Sequence, residues 1–421
     1  MRSATLVLAA VSLIGAAHCD RDAANDSSDP SERESAPEPD ESASASDNPS
    51  SDDASERTTH RVGRWKAIDA HTHLSPQSYP IVAEVMREER IYRAVNLSGG
   101  HKPDFRTQHL ELADRLPDRI ALFFNVDWEG VTDPTFGEQT ADELAAAVRE
   151  GYAGLKITKA LGLEVKGEDG ELLPVDTPKL DPLWERAGEL GIPVTIHTGD
   201  PKAFFKKPGP DNERWAELKL AEDWSWYGEE YPSRKTLLRA RDRLIERHDD
   251  TTFILAHMAN NPEDMAYVDR LLNRHDNVYV DTSARIAEFG RHPAEDIREF
   301  FIDHQNRILF GTDLGVQARR AGDKLRYSLF LGSVRREPPD LDDIPVFFDR
   351  HWRYFETDRE AVEHPIPIQG DWKVHPIDLP EHVLAKIYWK NAERLIFAPW
   401  LGRRAAHRVA DVAGEFDRQA E

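Results

Sequence analysis

From Val62 to about residue 400, short apolar runs alternate with longer stretches in which apolar residues recur every three or four positions. The short runs predict strands at Trp65–Ala70, Tyr92–Leu97, Ile120–Val126, Ala153–Thr158, Pro193–His197, Thr252–His257, Val278–Asp281 and Arg307–Gly311. The longer period predicts helices at Ala141–Glu150, Asp181–Leu190, Arg234–His248, Pro262–Arg274 and Ala294–His304. This alternation predicts an α/β fold, a (β/α)8 TIM barrel. An open doubly wound sheet would carry a glycine-rich turn after an early strand, and the sequence has none.

In such a barrel the reacting groups sit at the C-terminal ends of the strands. The first strand runs into Ile68-Asp69-Ala70-His71-Thr72-His73. A strand period of two puts Asp69, His71 and His73 on one face, with Ile68, Ala70 and Thr72 turned toward the helices. The fifth strand ends in His197, the sixth in His257 and the eighth in Gly311-Thr312-Asp313. Any one of these alone is unremarkable, since a lone strand-end His is usually a satisfied core or surface residue and an Asp there usually a helix cap. Together, three imidazoles and a carboxylate at one end of the barrel suit a borderline divalent metal that keeps a position for water. His71, His73, His197 and Asp313 are the predicted ligands. Asp313 would take the proton of the activated water, and His257 would polarise a carbonyl or steady an oxyanion. This donor set accepts one zinc, manganese, iron or cobalt ion.

Composition changes the picture at the N-terminus. The 421 residues carry a net charge of −23. Residues 20–60 contain no Leu, Ile, Val, Met, Phe, Trp or Tyr, and 13 acids against three arginines, so this stretch alone carries −10. It cannot bury enough apolar area to offset its chain entropy, and is expected to be a disordered tether over 20–61. Ahead of it, Arg2 and an apolar run from Ala4 to Ala17 predict an export signal over 1–19. The single Cys, Cys19, follows at once and is a candidate for acylation. A lipid anchor in the cell envelope is one reading, and cleavage after Ala17 to a periplasmic or secreted form is the other. One Cys excludes internal disulfides and cysteine-based zinc sites, and the acid surplus argues against nucleic-acid binding. The folded region is expected to be one barrel over 62–400 followed by a helical tail over 401–421.

With these segments in view, the chain resembles the amidohydrolase superfamily. The resemblance rests on Ile68–His73, Ile196-His197-Thr198, Ala256-His257-Met258 and Gly311-Thr312-Asp313, and for the amidohydrolase-related branch on the segment Ile387–Leu395. That branch includes aminocarboxymuconate-semialdehyde decarboxylase and pyrone-dicarboxylate lactonase, so the resemblance implies hydrolysis, hydration or non-oxidative decarboxylation. It implies a single zinc or manganese in the decarboxylases. It implies a second metal only if Lys156, turned inward near the end of the fourth strand, is carboxylated. Lys156 could instead bind a substrate carboxylate or pair with Asp313 or Glu164. Branch members are often homodimers.

The loops after strands five and eight are long, spanning 199–233 and 314–380, and rich in aromatics. They are expected to form a lid or wall, lining a pocket for a ring-bearing or carboxylated small molecule or else burying themselves against the barrel. Arg285 is a candidate carboxylate fork that could equally pair with Glu288, and Lys159 and His101 are further candidates for substrate binding. The leading expectation is a metal-dependent hydrolase of an amide, ester or lactone. The alternative is a decarboxylase of an aromatic or unsaturated acid, and a third reading is a non-catalytic surface-binding barrel.

Overall fold

The computed structural model describes residues 66–322 and 324–406, all within the unit Val62–Glu421. The export signal, the tether, Cys19 and the end of the C-terminal tail lie outside the described residues. Among the described residues, no helix is long and apolar enough to cross a membrane.

The fold is a TIM-barrel-like α/β structure around a curled parallel sheet. Its eight barrel strands are β1 (Ala67–Leu74), β2 (Ile91–Asn96), β3 (Ile120–Asn125), β4 (Gly154–Ile157), β5 (Val194–Ile196), β6 (Phe253–Leu255), β7 (Val278–Asp281) and β8 (Ile308–Leu309). They pair in parallel in sequence order. Single backbone bonds link β1 to the segment after β8: the Ala70 N–H donates to Phe310 O and the Asp313 N–H to His71 O, both at 2.9 Å. Short apolar strands suit a sheet covered on both faces.

Strand alternation separates two apolar layers. Leu155, Ile157, Val194, Ile196, Val278 and Val280 point outward onto helical residues such as Leu144, Leu183 and Leu244. Ile68, Ala70, Val95, Ala121, Ile254 and Leu309 point inward, with Phe397 and Trp400 of the C-terminal helix packed among them. Ile68 and Ala70 therefore face the interior and not the helices, contrary to simple alternation along β1. The register of β1 on β2 shifts between Asp69 and Thr72. Such an irregularity resets side-chain direction, so His71 still reaches the barrel mouth.

The long loop after β8 opens as a hairpin, β9 (Leu314–Ala321) with β10 (Lys324–Leu331), which extends the sheet on the free side of β1. A helix at Asp343–Glu356 follows, and its Phe347, Phe348, Trp352, Tyr354 and Phe355 are buried. Trp352 stacks on Phe310 at 4.9 Å between ring centres. These aromatics fasten the loop to the barrel.

The C-terminal helix binds the last barrel strand. Asn391 is buried between two π-helical stretches, and its Nδ2 donates to Gln305 O and Ile308 O at 2.8 and 2.7 Å. Replacing Asn391 with Ala leaves two carbonyls without this donor and is expected to cost about 2 kcal/mol. Thermal and urea unfolding should show a lower midpoint, and an unchanged midpoint would contradict the assigned role.

Candidate metal centre

β1, β6, β7 and the segment after β8 deliver their polar ends to one buried point. The Nε2 of His71 lies 3.5 Å from Asp313 Oδ1 and the Nε2 of His73 lies 3.4 Å from the same oxygen. The other nitrogen of each ring is already held. His71 Nδ1 donates to Asp281 Oδ2 at 2.9 Å, and His73 Nδ1 hydrogen-bonds Ser98 Oγ at 2.7 Å. Anchoring the far nitrogen fixes the ring and presents the near one, as metal-ligating imidazoles require. His71 Nε2 is buried with no hydrogen-bond partner. One ligand atom from each of His71, His73 and Asp313 lies within 4.8 Å of the others, and so do those of His71, His257 and Asp281. The residues fit a divalent ion.

The protonation states suit the same use. Burial pushes His73 below the usual imidazole range and His197 down to about 4. Neutral imidazole is the form that ligates. Burial alone would raise Asp313, but the hydrogen bond with His73 and the charges of His71, His73 and Arg285 hold it down at about 2.

Asp281 is the group that the sequence analysis did not single out. Its Oδ1 accepts from the backbone N–H of His257 (2.9 Å) and of Ser283 (3.1 Å) and from Ser283 Oγ (2.5 Å), while its Oδ2 holds His71. It ends β7 with inward parity, the same signal that marked Asp313.

His257 starts a run of four non-glycine residues with left-handed backbone, His257 to Asn260, with φ between 50° and 58°. The conformation costs energy at each residue and persists only where the surroundings impose it. Here Arg241 Nη1 donates to Ala259 O, and Arg234 Nη2 donates to Asn260 O, both at 2.5 Å. His257 Nδ1 donates to Ser283 O at 2.9 Å. Burial drives the ring well below the ordinary imidazole range. A neutral His257 therefore has its proton on Nδ1 and a bare Nε2, which accepts a proton or binds a metal. In that state Nε2 has no proton to donate to a substrate carbonyl, contrary to the role expected of His257.

The remaining predicted residues fall into two groups. His197 lies beside the cluster, its ring 4.4 Å from that of His257, but its Nε2 faces Gly199 O at 3.1 Å and Asp200 Oδ1 at 3.4 Å. Lys156 is buried, faces inward, and its Nζ has no hydrogen-bond partner. Burial brings its ammonium down to about 8, with Asp281 and Asp313 pulling the other way. Arg285 is buried two residues past Ser283, and its side chain makes one hydrogen bond, from Nη1 to Ala284 O at 2.8 Å. Lys159 is engaged elsewhere, and His101 stands near a carboxylate without hydrogen-bonding it. Lys159 Nζ donates to Asp200 Oδ2 at 2.6 Å, and His101 Nε2 lies 3.2 Å from Asp127.

The aromatics of the loop after β5 mostly pack on each other. Phe204, Leu218 and Trp226 form a small core with Leu163 and Leu237. Trp226 Nε1 donates to Asp200 at 2.6 Å, which ties the loop to the end of β5.

The amidohydrolase family model Amidohydro_2 matches residues 68–397. No curated protein matches the chain at a significant level. The similar solved structures include 2,6-dihydroxybenzoate decarboxylase from Rhizobium, at 17% identity and a TM-score of 0.44, covering 80% of this chain and 99% of that one. An uncharacterised TIM-barrel protein from Bordetella bronchiseptica is 14% identical with a TM-score of 0.45, covering 80% and 99%. A 5-carboxyvanillate decarboxylase from Novosphingobium aromaticivorans, in complex with manganese and 4-hydroxy-3-methoxy-5-nitrobenzoic acid, is 13% identical with a TM-score of 0.41, covering 79% and 96%.

The anchoring of His71 generates a prediction. Asp281→Asn should weaken zinc or manganese binding about 10- to 100-fold. Isothermal titration of the metal-stripped protein measures this, and unchanged affinity would remove Asp281 from the centre.

Proposed function

The chain belongs to the amidohydrolase family, a family of metal-dependent enzymes, and on that premise we propose that it removes the carboxylate of a small unsaturated or aromatic acid without oxidation. One observation carries the reading. Among the described residues, Lys156 and Arg285 are buried cations with no ion-pair partner within 4.0 Å, and both act on the charge of Asp313 or His257 in the metal cluster. Asp281 and Asp313 act on Lys156 and Glu288 feels Arg285, but only from beyond ion-pair distance, and a buried cation without a direct partner favours an incoming anion. The cations flank the cluster itself, so the carboxylate they would receive lies at the reacting centre and not at a remote wall.

His71, His73 and Asp313 would hold a divalent ion, which would supply Lewis-acid polarisation of a substrate oxygen. Lys156 and Arg285 orient the carboxylate. The bond from carbon to the carboxylate breaks, and its electron pair passes into the conjugated system. Carbon dioxide leaves, and a proton from water takes its place on carbon. The bare Nε2 of His257 and the Asp313 carboxylate are the two groups placed to relay that proton.

One observation favours a second reading, hydrolysis of an amide, ester or lactone that also bears a carboxylate. Asp313 is held ionised beside both histidines, which suits a base that takes a proton from attacking water. The export of the chain and acylation at Cys19 remain part of the proposal, resting on the sequence alone.

Manganese- or zinc-loaded protein tested against hydroxybenzoates, unsaturated diacids, lactones, esters and amides separates the readings. Release of carbon dioxide with no hydrolysis product is expected, and hydrolysis without carbon dioxide would transfer the assignment to the second reading. Lys156→Met and Arg285→Met should each raise KM for the acid at least about tenfold. Unchanged KM in both would refute the carboxylate site.

A further inference from the structure

The loop after β5 reaches the turn after β7 through a buried charged chain. Arg214, 2% exposed, precedes the short helix Trp215–Leu218. Its backbone N–H donates to Asn212 Oδ1 at 2.9 Å, and its guanidinium lies over the Phe204 ring at 5.6 Å. Its Nε donates to Glu217, and its Nη1 donates to Glu288 Oε1 at 2.6 Å. Ser333, in the segment after β10, donates to the other oxygen of Glu217. Three separate loops are thereby joined around one guanidinium.

Glu288 stands three residues after Arg285, in the turn Ile286–Phe289, and the Glu288 N–H donates to Arg285 O at 3.1 Å. Side chains at this spacing are neighbours. A buried arginine and a buried glutamate so placed would ordinarily pair. Instead Arg214 holds Glu288 by Oε1, Oε2 stays buried with no hydrogen-bond partner and out of reach of Arg285, and Arg285 is left with Ala284 O. Gln369 Nε2 donates to that same carbonyl at 3.1 Å and steadies the turn.

We propose that Arg214 is a positioning residue: by capturing Glu288 it keeps the Arg285 guanidinium free for the carboxylate of the substrate. This rests on the role given to Arg285 above. Arg214 touches no reacting group; it acts through the carboxylate that would otherwise quench Arg285. Docking of the loop after β5 sets the charge that the substrate meets, because only the docked loop presents Arg214 to Glu288.

The test uses the full chain loaded with manganese, benzoate as probe, and four proteins: wild type, Arg214→Gln, Glu288→Gln and the double variant. Arg214→Gln should weaken benzoate binding on the order of tenfold or more, and the double variant should return to within about twofold of wild type. Glu288→Gln alone should bind as well as wild type. A purely structural role would make the double variant as weak as Arg214→Gln or weaker, and that result overturns the proposal. So does unchanged affinity in Arg214→Gln, as would follow if Glu288 simply took up a proton. If Arg214→Gln does not fold, Glu288→Gln still decides, because loss of affinity there would mean that Glu288 itself is required. If wild type does not bind benzoate, the reading of Arg285 as a carboxylate site fails separately. Crystal structures of wild type and Arg214→Gln then settle the pairing: Arg285 turned onto Glu288 in the variant supports the proposal, and an unmoved Arg285 overturns it.

Discussion

A carboxylate with no access to water holds this site together. Asp281 is completely buried, and donors from three strand ends converge on it: His71 from β1, the backbone of His257 after β6, and Ser283 after β7. Burial alone would raise its pKa, but these donors and the charge of His71 outweigh burial and hold it below the usual carboxylate range. Removing such a charge from water is costly unless its lone pairs are satisfied, so the strand ends are locked in mutual register. The direction of His71 and the placement of the His257 and Ser283 backbone N–H groups follow from that one group. Asp313, on the far side of His71, then has its two imidazole partners fixed before any ion arrives.

The second organising feature is a division of labour among the cations. Arg106 is bound by Glu150, Lys159 by Asp200, Arg234 by Glu263, and Arg214 by Glu217 and Glu288. These pairs tie neighbouring helices and loops together. Lys156, inside β4, and Arg285, four residues past the end of β7, are the exceptions, with no ion-pair partner within 4.0 Å. The long loops follow the same logic: their aromatics are spent on self-packing and on the barrel wall, and the polar contacts of Asp200 and Glu288 set which cations stay available.

Much of this was legible in the sequence. All eight barrel strands and five of the flanking helices are visible in the period of apolar residues, and His71, His73 and Asp313 follow from their place at strand ends. What was hidden has physical causes. Simple alternation cannot register the shift between Asp69 and Thr72, which lets Ile68 and His71 both face inward. The hairpin of β9 and β10 is polar along much of its length, because its outer half is exposed, and so carries no alternation. His197 ends β5 as expected, but its Nε2 is turned by Asp200, three residues on, whose pairing with Lys159 and Trp226 is a matter of tertiary structure. Asp281 carried the same signal as Asp313 but lacked a motif to draw attention to it.

The most direct measurement of the central claim is a crystal structure of the manganese-loaded protein with anomalous diffraction recorded at the manganese edge. A peak bonded to His71 Nε2, His73 Nε2 and the Asp313 carboxylate is expected, with His71 Nδ1 still on Asp281. A protein that takes up no ion at that point, or holds it away from both histidines of β1, would contradict that claim.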